Sequence, residues 1–225
     1  MEIKKIAVIH NGFKEKFGIP RQSGLAPAVI SKIVFEKEYR IKEAVRDIEG
    51  YSHLWLIWDF SKAHREEWSP TVRPPRLGGN RRTGVFATRS PFRPNPLGLS
   101  VVRLERVDLD SPLGPVLYVS GADLMDQTPI FDIKPYLPYA DSIADAEGGF
   151  TDTAKKRTVS VSIPEDIAKT IGSDILAAVT DILAEDPRPA YQDDPRRIYK
   201  MIFDCYEFSF SVEDSTLSVL EVKKI

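Results

Sequence analysis

The chain has 225 residues, of which 42% are apolar and 28% charged, as in a globular protein that can bury a sizeable core. Its formal net charge of −2 excludes binding to nucleic acid through overall positive charge, so an anionic partner would need a local basic patch. No stretch approaches the roughly 20 apolar residues of a membrane-spanning helix.

The sequence favours a cytoplasmic, soluble protein. The apolar run from Ile6 to Ile9 is too short for a signal peptide. The single cysteine, Cys205, cannot form an internal disulfide, which fits a reducing compartment. Its flanking residues Phe203 and Phe208 predict a buried apolar position on a strand.

The first part of the chain, residues 1–145, consists mainly of predicted strands, over residues 3–9, 31–37, 53–60, 99–110 and 115–126. A short helix is predicted from Ile41 to Ile48, closed by Gly50. The continuous apolar run "HLWLIWDF" predicts a strand buried on both faces. Consecutive strands with short polar connections and almost no helix predict an antiparallel barrel or sandwich.

A second unit is predicted to follow a polar linker at residues 146–158. Ser173 is the expected N-cap of a helix with one apolar face, formed by Ile175, Leu176, Val179, Ile182 and Leu183. Alternating residues from Phe208 to Val212, a turn at Glu213 to Thr216 and a returning apolar pattern predict a β-hairpin. Residues 159–225 therefore predict a small α+β domain.

Positive charge is concentrated in one segment. From Ser69 to Leu104 there is no acidic residue and there are seven arginines: Arg73, Arg76, Arg81, Arg82, Arg89, Arg93 and Arg103. Such charge repels itself unless an anion binds there, and guanidinium groups grip phosphate or carboxylate with two hydrogen bonds. Frequent prolines stiffen the segment. It predicts an anion- or RNA-binding surface, or alternatively a solvated loop paired with acids elsewhere.

A second polar group lies between Gly121 and Ser142, and its members are Asp123, Asp126, Asp132, Lys134, Tyr136 and Tyr139. Carboxylates, a lysine and tyrosines together can bind substrates and move protons. Because aspartate and proline also favour turns, turn formation explains these residues equally well.

Several common sites have no signature in this sequence. There is no glycine-rich dinucleotide or phosphate-binding loop after a strand, and no G-x-S-x-G nucleophile elbow. His10, His53 and His64 lack the spacing of metal ligands, so we expect no metal.

Five segments together resemble the TsaA-like (TrmO) family: "EKFGIPRQ" (15–22), "SHLWLIW" (52–58), "VRPPRLGGNRRTGVFATRSPFRPNPLGLSVV" (72–102), "DIKPYLPYADS" (132–142) and, in the C-terminal domain, "DPRPAY" (186–191). The resemblance implies a homodimeric tRNA methyltransferase that uses S-adenosylmethionine to methylate N6 of N6-threonylcarbamoyladenosine, on the 3′ side of the anticodon. It also implies a mainly β fold, with an antiparallel single-sheet β-barrel domain before the small α+β domain.

By motif, the resemblance assigns the cofactor site to Pro20, Arg21, Gln22, Arg89, Leu99, Ser120, Gly121, Ala122 and Asp123. Ser61 and Lys62 stand where many relatives have a histidine, and either could replace its contact. Gln127 stands where relatives usually have glycine, which is either a tolerated loss or a change of loop shape.

The methyl transfer implied by the resemblance requires activation of the nucleophile, adenine N6, because its lone pair is delocalised into the ring. A carbamoyl group makes the N6–H more acidic, so a base within hydrogen-bond reach could remove the proton. We expect Asp132 or Tyr136 to be that base, with Asp126 behind them. Lys134 would bind the threonyl carboxylate or a phosphate.

The RNA surface is expected to use Arg76, Arg81, Arg82 and Arg93 for phosphates. In the second domain Arg188, Arg196 and Arg197 would extend it, with Tyr191 able to stack on a base. Two other functions fit the sequence. One is a non-catalytic module that binds RNA or S-adenosylmethionine, and the other is a methyltransferase of the same family with another acceptor.

Overall fold

The computed structural model describes residues 2–77, 81–153, 158–189, 192 and 194–225. The strands, in chain order, are β1 (Ala7–His10), β2 (Ile30–Phe35), β3 (His53–Asp59), β4 (Thr71–Val72), β5 (Thr83–Gly84), β6 (Leu97–Asp108), β7 (Val116–Ser120), β8 (Pro129–Pro135), β9 (Ser160–Ser162), β10 (Tyr199–Phe203), β11 (Tyr206–Glu213) and β12 (Thr216–Lys224). The α-helices are α1 (Pro138–Asp141), α2 (Phe150–Thr153), α3 (Glu165–Ala168) and α4 (Ser173–Ala184).

Six strands close into a barrel in the order β1-β2-β7-β6-β3-β8, and all neighbouring pairs are antiparallel. Alternate residues point inward, so Ile9, Ile33, Leu56 and Ile130 are completely buried. Each such side chain contributes about 1.5–3 kcal/mol by leaving water. The predicted mainly β fold with a closed antiparallel barrel is confirmed, and closure leaves these strands without a free edge.

The second unit is a four-stranded sheet of order β10-β11-β12-β9, with β9 parallel to β12. Helix α4 buries the predicted apolar face through Val179, Ile182 and Leu183, and the predicted hairpin is formed by β11 and β12. The expected cap at Ser173 is wrong. Gly172 has the extended backbone of the N-cap, and Ser173 is already the first helical residue.

The connection between β1 and β2, residues 11–29, joins the two units. Phe13, Ala26 and Val29 are buried in the core of the second unit, together with residues of α4 and β11. Backbone contact accompanies this packing, since the amide of Asp204 donates to the carbonyl oxygen of Gly12 at 2.8 Å. The barrel loop thus fills the core of the smaller sheet. In the segment predicted as linker, the structure places the single helical turn α2.

The helix predicted over residues 41–48 is wrong. The chain instead forms 3₁₀ turns at Lys42–Val45 and Ile48–Gly50. Asp47, between them, has a left-handed backbone with φ 65°, and in this stretch only Val45 is buried. A segment this short cannot offset the cost of starting an α-helix.

Two further predictions are corrected by the structure. β3 alternates between half-buried and buried residues, so "HLWLIWDF" is buried on one face only. The other face of β3, which forms part of the barrel's outer surface, is also apolar because it carries Trp55 and Ile57. Cys205 is half-buried in the turn between β10 and β11, because Phe203 and Phe208 belong to two successive strands.

Candidate functional site

Three connections of the barrel emerge at one end. Antiparallel pairing brings together the ends of β1, β3 and β7 and the starts of β2, β6 and β8, and this end is called the mouth. Residues 11–29, 60–96 and 121–128 connect strands there. The first contains the PRQ loop (residues 18–25), and the second, 60–96, is called the arginine loop. The mouth therefore collects polar residues from distant parts of the chain.

A chain of hydrogen bonds leads from the barrel interior to the mouth. The indole Nε1 of Trp58 donates to Ser100 Oγ at 3.0 Å, and this hydroxyl donates to Asp123 Oδ1 at 2.5 Å. Gly98 makes room for the indole, because a Cβ there would lie 2.1 Å from the Trp58 ring. The carboxylate of Asp123 is thus held in one orientation by residues of β3 and β6.

The carboxyl of Asp123 has a raised pKa, chiefly because burial disfavours its charged form. The hydrogen bond from Ser100 and the charge of Arg89 act in the opposite direction. A carboxylate in this position is stabilised by any further cation or hydrogen-bond donor that reaches the mouth.

The PRQ loop meets the arginine loop through side chains. Arg89 Nη1 donates to Gln22 Oε1, and Gln22 Nε2 donates to the carbonyl oxygen of Arg21. Arg21 Nη2 in turn donates to the carbonyl oxygen of Arg188, 3.1 Å away in the second unit. Because Arg89 also lies close enough to act on Asp123, a guanidinium and a carboxylate face the same opening.

Backbone contact fixes the PRQ loop against the end of β7. The amide of Gly24 donates to the carbonyl oxygen of Gly121 at 2.8 Å, and both glycines have positive φ, 80° and 73°. A Cβ on Gly121 would lie 3.1 Å from Gly24 Cα, so this approach requires glycine. Next to it, the Ser120 hydroxyl donates to Glu105 at 2.6 Å and the Ala122 side chain is buried. These two residues offer a ligand only their main chain.

Asp132 and Leu99 lie on the outer wall of the barrel. Ile57 of β3 is paired with Asp132 of β8 and with Leu99 of β6, and residues paired in this way share one face of the sheet. Leu99 is 54% exposed. Asp132 forms an ion pair of 2.9 Å with Lys134. Asp132 and Leu99 therefore point outward from the barrel wall, whereas Asp123 lies at the mouth, in the connection after β7.

The arginine loop presents aromatic rings beside its charges. Phe86 is 71% exposed and stacks on Trp68, with ring centroids 6.1 Å apart. Arg93 lies 6.0 Å from the Phe86 ring, and Arg65 lies 3.5 Å above Phe92. Exposed aromatic and guanidinium planes in one loop form a surface on which nucleobases can stack.

Comparisons with known proteins agree with this arrangement. The family model for the tRNA-methyltransferase O N-terminal domain matches residues 8–142, and that for the TrmO C-terminal domain matches residues 153–225. The chain belongs to the TrmO family. A tRNA (adenine(37)-N6)-methyltransferase of Escherichia coli (strain K12) is 37% identical over 99% of this chain and 97% of its own length.

Two further relatives support the TrmO assignment. A protein of the same name from Eikenella corrodens is 47% identical, over 73% of this chain and 92% of its own length. A crystal structure of TrmO from Pseudomonas aeruginosa covers 100% of this chain and 97% of its own, with a TM-score of 0.80 and 33% identity.

Within the TrmO framework, the predicted group of catalytic residues is only partly assembled. Asp126 lies at the mouth, 2.8 Å from Lys14, and accepts from the Asn11 amide at 3.1 Å. Burial acts to raise the pKa of Asp126, but Lys14, Asn11 and His10 outweigh it and lower the pKa. Asp126 is thus an anion paired with Lys14, and its expected place behind the base stays a prediction.

Tyr136 follows β8 at the end of the barrel opposite the mouth. Its ring lies 5.8 Å from that of Trp55 and 6.2 Å from that of His53. The Trp55 indole donates to Asp141 at 3.0 Å, so the "DIKPYLPYADS" segment wraps around this tryptophan. Among the predicted catalytic residues, Asp132 and Lys134 are the two in direct contact.

The structure describes both positions at which the sequence departs from the expected family motif. Gln127 has φ 65°, the left-handed backbone that glycine adopts easily, so the glutamine occupies this turn at a conformational cost. Ser61 is half-buried and Lys62 exposed, and the carbonyl oxygen of Lys62 accepts from Lys16 Nζ at 2.6 Å. The segment after β3 therefore touches the connection that carries the PRQ loop.

The predicted RNA-binding arginines separate into different groups. Arg81 and Arg82 are exposed on the arginine loop, where Arg82 also donates to Thr71 at 2.9 Å. Arg93 is half-buried and donates to the Thr88 carbonyl oxygen at 3.0 Å, so it also stiffens the loop. Arg76 lies in a 3₁₀ turn at Pro75–Leu77.

In the second unit, Arg196 and Arg197 are exposed, but Arg188 is only 1% exposed and its guanidinium is paired with Asp186. The prediction that Arg188 contacts RNA is therefore wrong, because its charged group cannot reach a phosphate. Tyr191 lies outside the described residues.

Sequence reasoning missed Trp58, Ser100, Trp68 and Phe86. Ser100 occupies an inward position of a strand otherwise lined with apolar residues, and such a buried hydroxyl needs a partner. The two aromatic residues of the arginine loop stand among prolines and charges, where an exposed ring has no core to join.

Among the described residues, no helix is long and apolar enough to cross a membrane, and no three metal-ligating side chains cluster. A shallow concave surface lies at the barrel end opposite the mouth. It is lined by Lys4, Lys5, Glu36, Lys37, Glu38, Tyr39 and Arg40 and contains none of the residues discussed above.

Proposed function

We propose that the chain is an S-adenosylmethionine-dependent tRNA methyltransferase that methylates N6 of adenine 37 in the form of N6-threonylcarbamoyladenosine. Two relatives, one matching 99% and the other 73% of this chain, are named tRNA (adenine(37)-N6)-methyltransferases. The single observation that carries the proposal is the mouth itself, where Arg89 and Gln22 face Asp123 at the junction of the PRQ loop with β7.

The residues of the mouth fit S-adenosylmethionine, because its amino-acid end carries both a carboxylate and an ammonium group. Arg89 and Arg21 would hold the carboxylate, and Asp123 would hold the ammonium group or a hydroxyl. Pro20, Gln22 and the main chain of Ser120 to Ala122 would shape the rest of the site. When bound, the sulfonium supplies an electrophilic methyl group.

The acceptor needs a base and an anchor. Asp132 is the candidate base because its carboxylate is 44% exposed on the outer wall and is held by Lys134. Tyr136 remains the second candidate, and Lys134 could exchange its partner for the threonyl carboxylate. The contribution expected of such a base is a factor of about 10²–10⁴ in rate.

The tRNA would bind along the arginine loop. Arg81 and Arg82 provide exposed positive charge for phosphates, while Phe86 and Trp68 provide a platform for an unpaired base of the anticodon loop. Arg196 and Arg197 extend the same role on the second unit. Because tRNA is the substrate, we place the protein in the cytoplasm.

We further propose that two copies associate through the outer wall. Outer positions of barrel strands facing water are usually polar, yet Trp55, Ile57, Leu97, Leu99 and Val101 are apolar here. Leu97 and Leu99 are 36% and 54% exposed. Association would bury this surface and place Asp132 at the boundary between the copies, where one site could draw on both.

The decisive experiment mixes the purified chain with methyl-labelled S-adenosylmethionine and bulk tRNA. Label in a tRNA nucleoside supports the proposal, and nucleoside mass analysis then names the acceptor. Label bound only to protein supports the non-catalytic module. Arg89→Met should remove transfer, whereas Arg46→Met, exposed at the far end of the barrel, should not. Transfer that needs no threonylcarbamoyl group on the tRNA would favour another acceptor.

A further inference from the structure

The second unit contains a buried ion pair next to the PRQ loop. Arg188 and Asp186 are each only 1% exposed. Arg188 Nε donates to Asp186 Oδ1 at 2.8 Å and Nη2 donates to Oδ2 at 2.9 Å, so the pair is bidentate. The Arg188 amide also donates to Oδ1, at 3.3 Å, and Asp186 has a left-handed backbone with φ 45°. These contacts hold residues 186–188 in one tight loop.

The contribution of this ion pair to the free energy of folding does not explain why it is present. A buried ion pair stabilises a fold little compared with apolar residues of the same volume, because both charges lose their hydration. Such a pair is better explained where it fixes a particular geometry. Here it fixes the carbonyl oxygen of Arg188, which accepts the hydrogen bond from Arg21 Nη2 at 3.1 Å.

The rest of the PRQ loop is also supported by the second unit, but at its flanks. Gly18 packs against Met201, and the Ala28 amide donates to Asp181 Oδ2 at 2.8 Å. At the centre of the loop, Arg21 contacts Arg188. From there hydrogen bonds continue through Gln22 to Arg89.

We propose that Asp186 and Arg188 are positioning residues for the S-adenosylmethionine site, acting through Arg21. The second unit thereby completes a site whose ligand-facing residues all belong to the barrel and its loops. This inference rests on the proposed function, since it assigns Arg21 to the cofactor. In this proposal Arg188 does not contact RNA as expected from the sequence, and instead positions Arg21 at the mouth.

The test uses the full chain and two readouts. Hydrogen–deuterium exchange of the PRQ loop without ligand measures its order, and calorimetry measures the affinity for S-adenosylmethionine. Asp186→Asn should speed exchange of residues 18–25 and weaken binding about tenfold or more, the weight of a hydrogen bond to a charged group. In an Arg21→Ala background, Asp186→Asn should have little further effect on affinity, because the hydrogen bond from Arg21 to Arg188 is already absent.

Asp181→Ala is the matched control, since it removes a hydrogen bond between the two units without touching Arg21. It should leave the affinity within about twofold. If Asp186→Asn does not fold, Arg188→Lys keeps the charge and loses only the bidentate geometry, and should show the same coupling to Arg21.

Additive effects of the Asp186 and Arg21 changes on affinity, or an unaltered exchange rate of residues 18–25, would overturn the inference. If the wild-type chain does not bind S-adenosylmethionine at all, the proposed function fails. In that case the assignment of Asp186 and Arg188 to a cofactor site fails with it, and the exchange measurement reports only whether the pair orders the PRQ loop.

Discussion

Ser100 donates its hydroxyl hydrogen to Asp123 across the barrel mouth, at 2.5 Å, while accepting the Trp58 indole at 3.0 Å. The acceptor of this chain, Asp123, is a carboxylate largely removed from water, with Arg89 as the cation that acts on it. Burial of an ionised carboxylate destabilises the folded protein, and a ligand that pairs with the carboxylate offsets this destabilisation. The mouth is therefore prepared for a ligand that brings a positive charge.

Replacing Asp123 with Asn should change the pH dependence of stability. Burial raises the folded pKa above its ordinary value of 3.8, so folding favours the protonated form. That contribution is complete below pH 3.8 and is lost as the pH rises through the folded pKa. Asp123→Asn should therefore gain stability relative to wild type as the pH rises above 3.8 and through the folded pKa, measured by denaturant unfolding.

Asp126→Asn provides the control of opposite sign. Although burial acts to raise the pKa of Asp126, Lys14 and Asn11 lower it, so its stabilisation is present above pH 3.8 and is lost as the pH falls through the folded pKa. Asp126→Asn should lose stability at neutral pH. Equal pH profiles for the two variants would contradict both assignments.

Gln127→Gly should stabilise the fold, by up to about 1.5 kcal/mol. Relief of the left-handed backbone at φ 65° is worth about 1–2 kcal/mol, and glycine's extra freedom in the unfolded chain removes about 0.4–1 kcal/mol. The comparison is Asp214→Gly, at φ 51°, where the gain should be smaller since aspartate tolerates this conformation better. A midpoint of chemical unfolding that falls for Gln127→Gly would argue against strain at this turn.

The sequence predicts the fold well where pattern and partner are local. Alternation along β11 and β12 is enough to identify the hairpin, and the resemblance adds closure of the barrel. Prediction fails where a distant partner decides the outcome. Apolar Trp55 and Ile57 imply a strand buried on both faces, but the outer face of β3 is only half-buried in a single chain.

Sequence-based prediction of the candidate site also fails where contacts depend on residues distant in the sequence. Motifs identify Arg21, Arg89 and Asp123 separately, yet the contact between Arg21 and Arg188 depends on how two units pack. Arg188 looks like a surface charge in "DPRPAY" because its burial is decided by that packing. Ser100 carries no motif, and its role appears only once Trp58 and Asp123 are placed beside it.

Leu99→Asp should convert the expected dimer into monomers. A two-fold interface carries the substitution twice, and an unpaired buried carboxylate costs several kcal/mol. Leu113→Asp is the matched control, because Leu113 is 47% exposed in the β6–β7 turn, away from the wall. Sedimentation velocity measures both, and a dimer that survives in Leu99→Asp would place the interface elsewhere.

Arg81→Ala and Arg82→Ala should each reduce the salt dependence of tRNA binding. A lost phosphate contact lowers the magnitude of the slope of log affinity against log salt by about 0.7–0.9. Arg46→Ala, an exposed arginine at the opposite end of the barrel, should leave the slope unchanged. Filter binding over a salt series provides the measurement. Wild-type slopes in both loop variants would exclude these residues from the phosphate contacts.

Asp132→Asn should lower single-turnover methyl transfer by about 10²–10⁴ while leaving S-adenosylmethionine affinity within about twofold, because a base acts on the acceptor and not on the donor. Asp110→Asn is the matched control, since Asp110 also pairs with a lysine, Lys42, at 2.8 Å, at the barrel end away from the mouth. Tyr136→Phe separates the two candidates, because only the true base should cause the large loss. Near wild-type transfer by Asp132→Asn, together with a large loss in Tyr136→Phe, would move the role to the tyrosine. Retained transfer in both would mean that positioning alone activates the nitrogen.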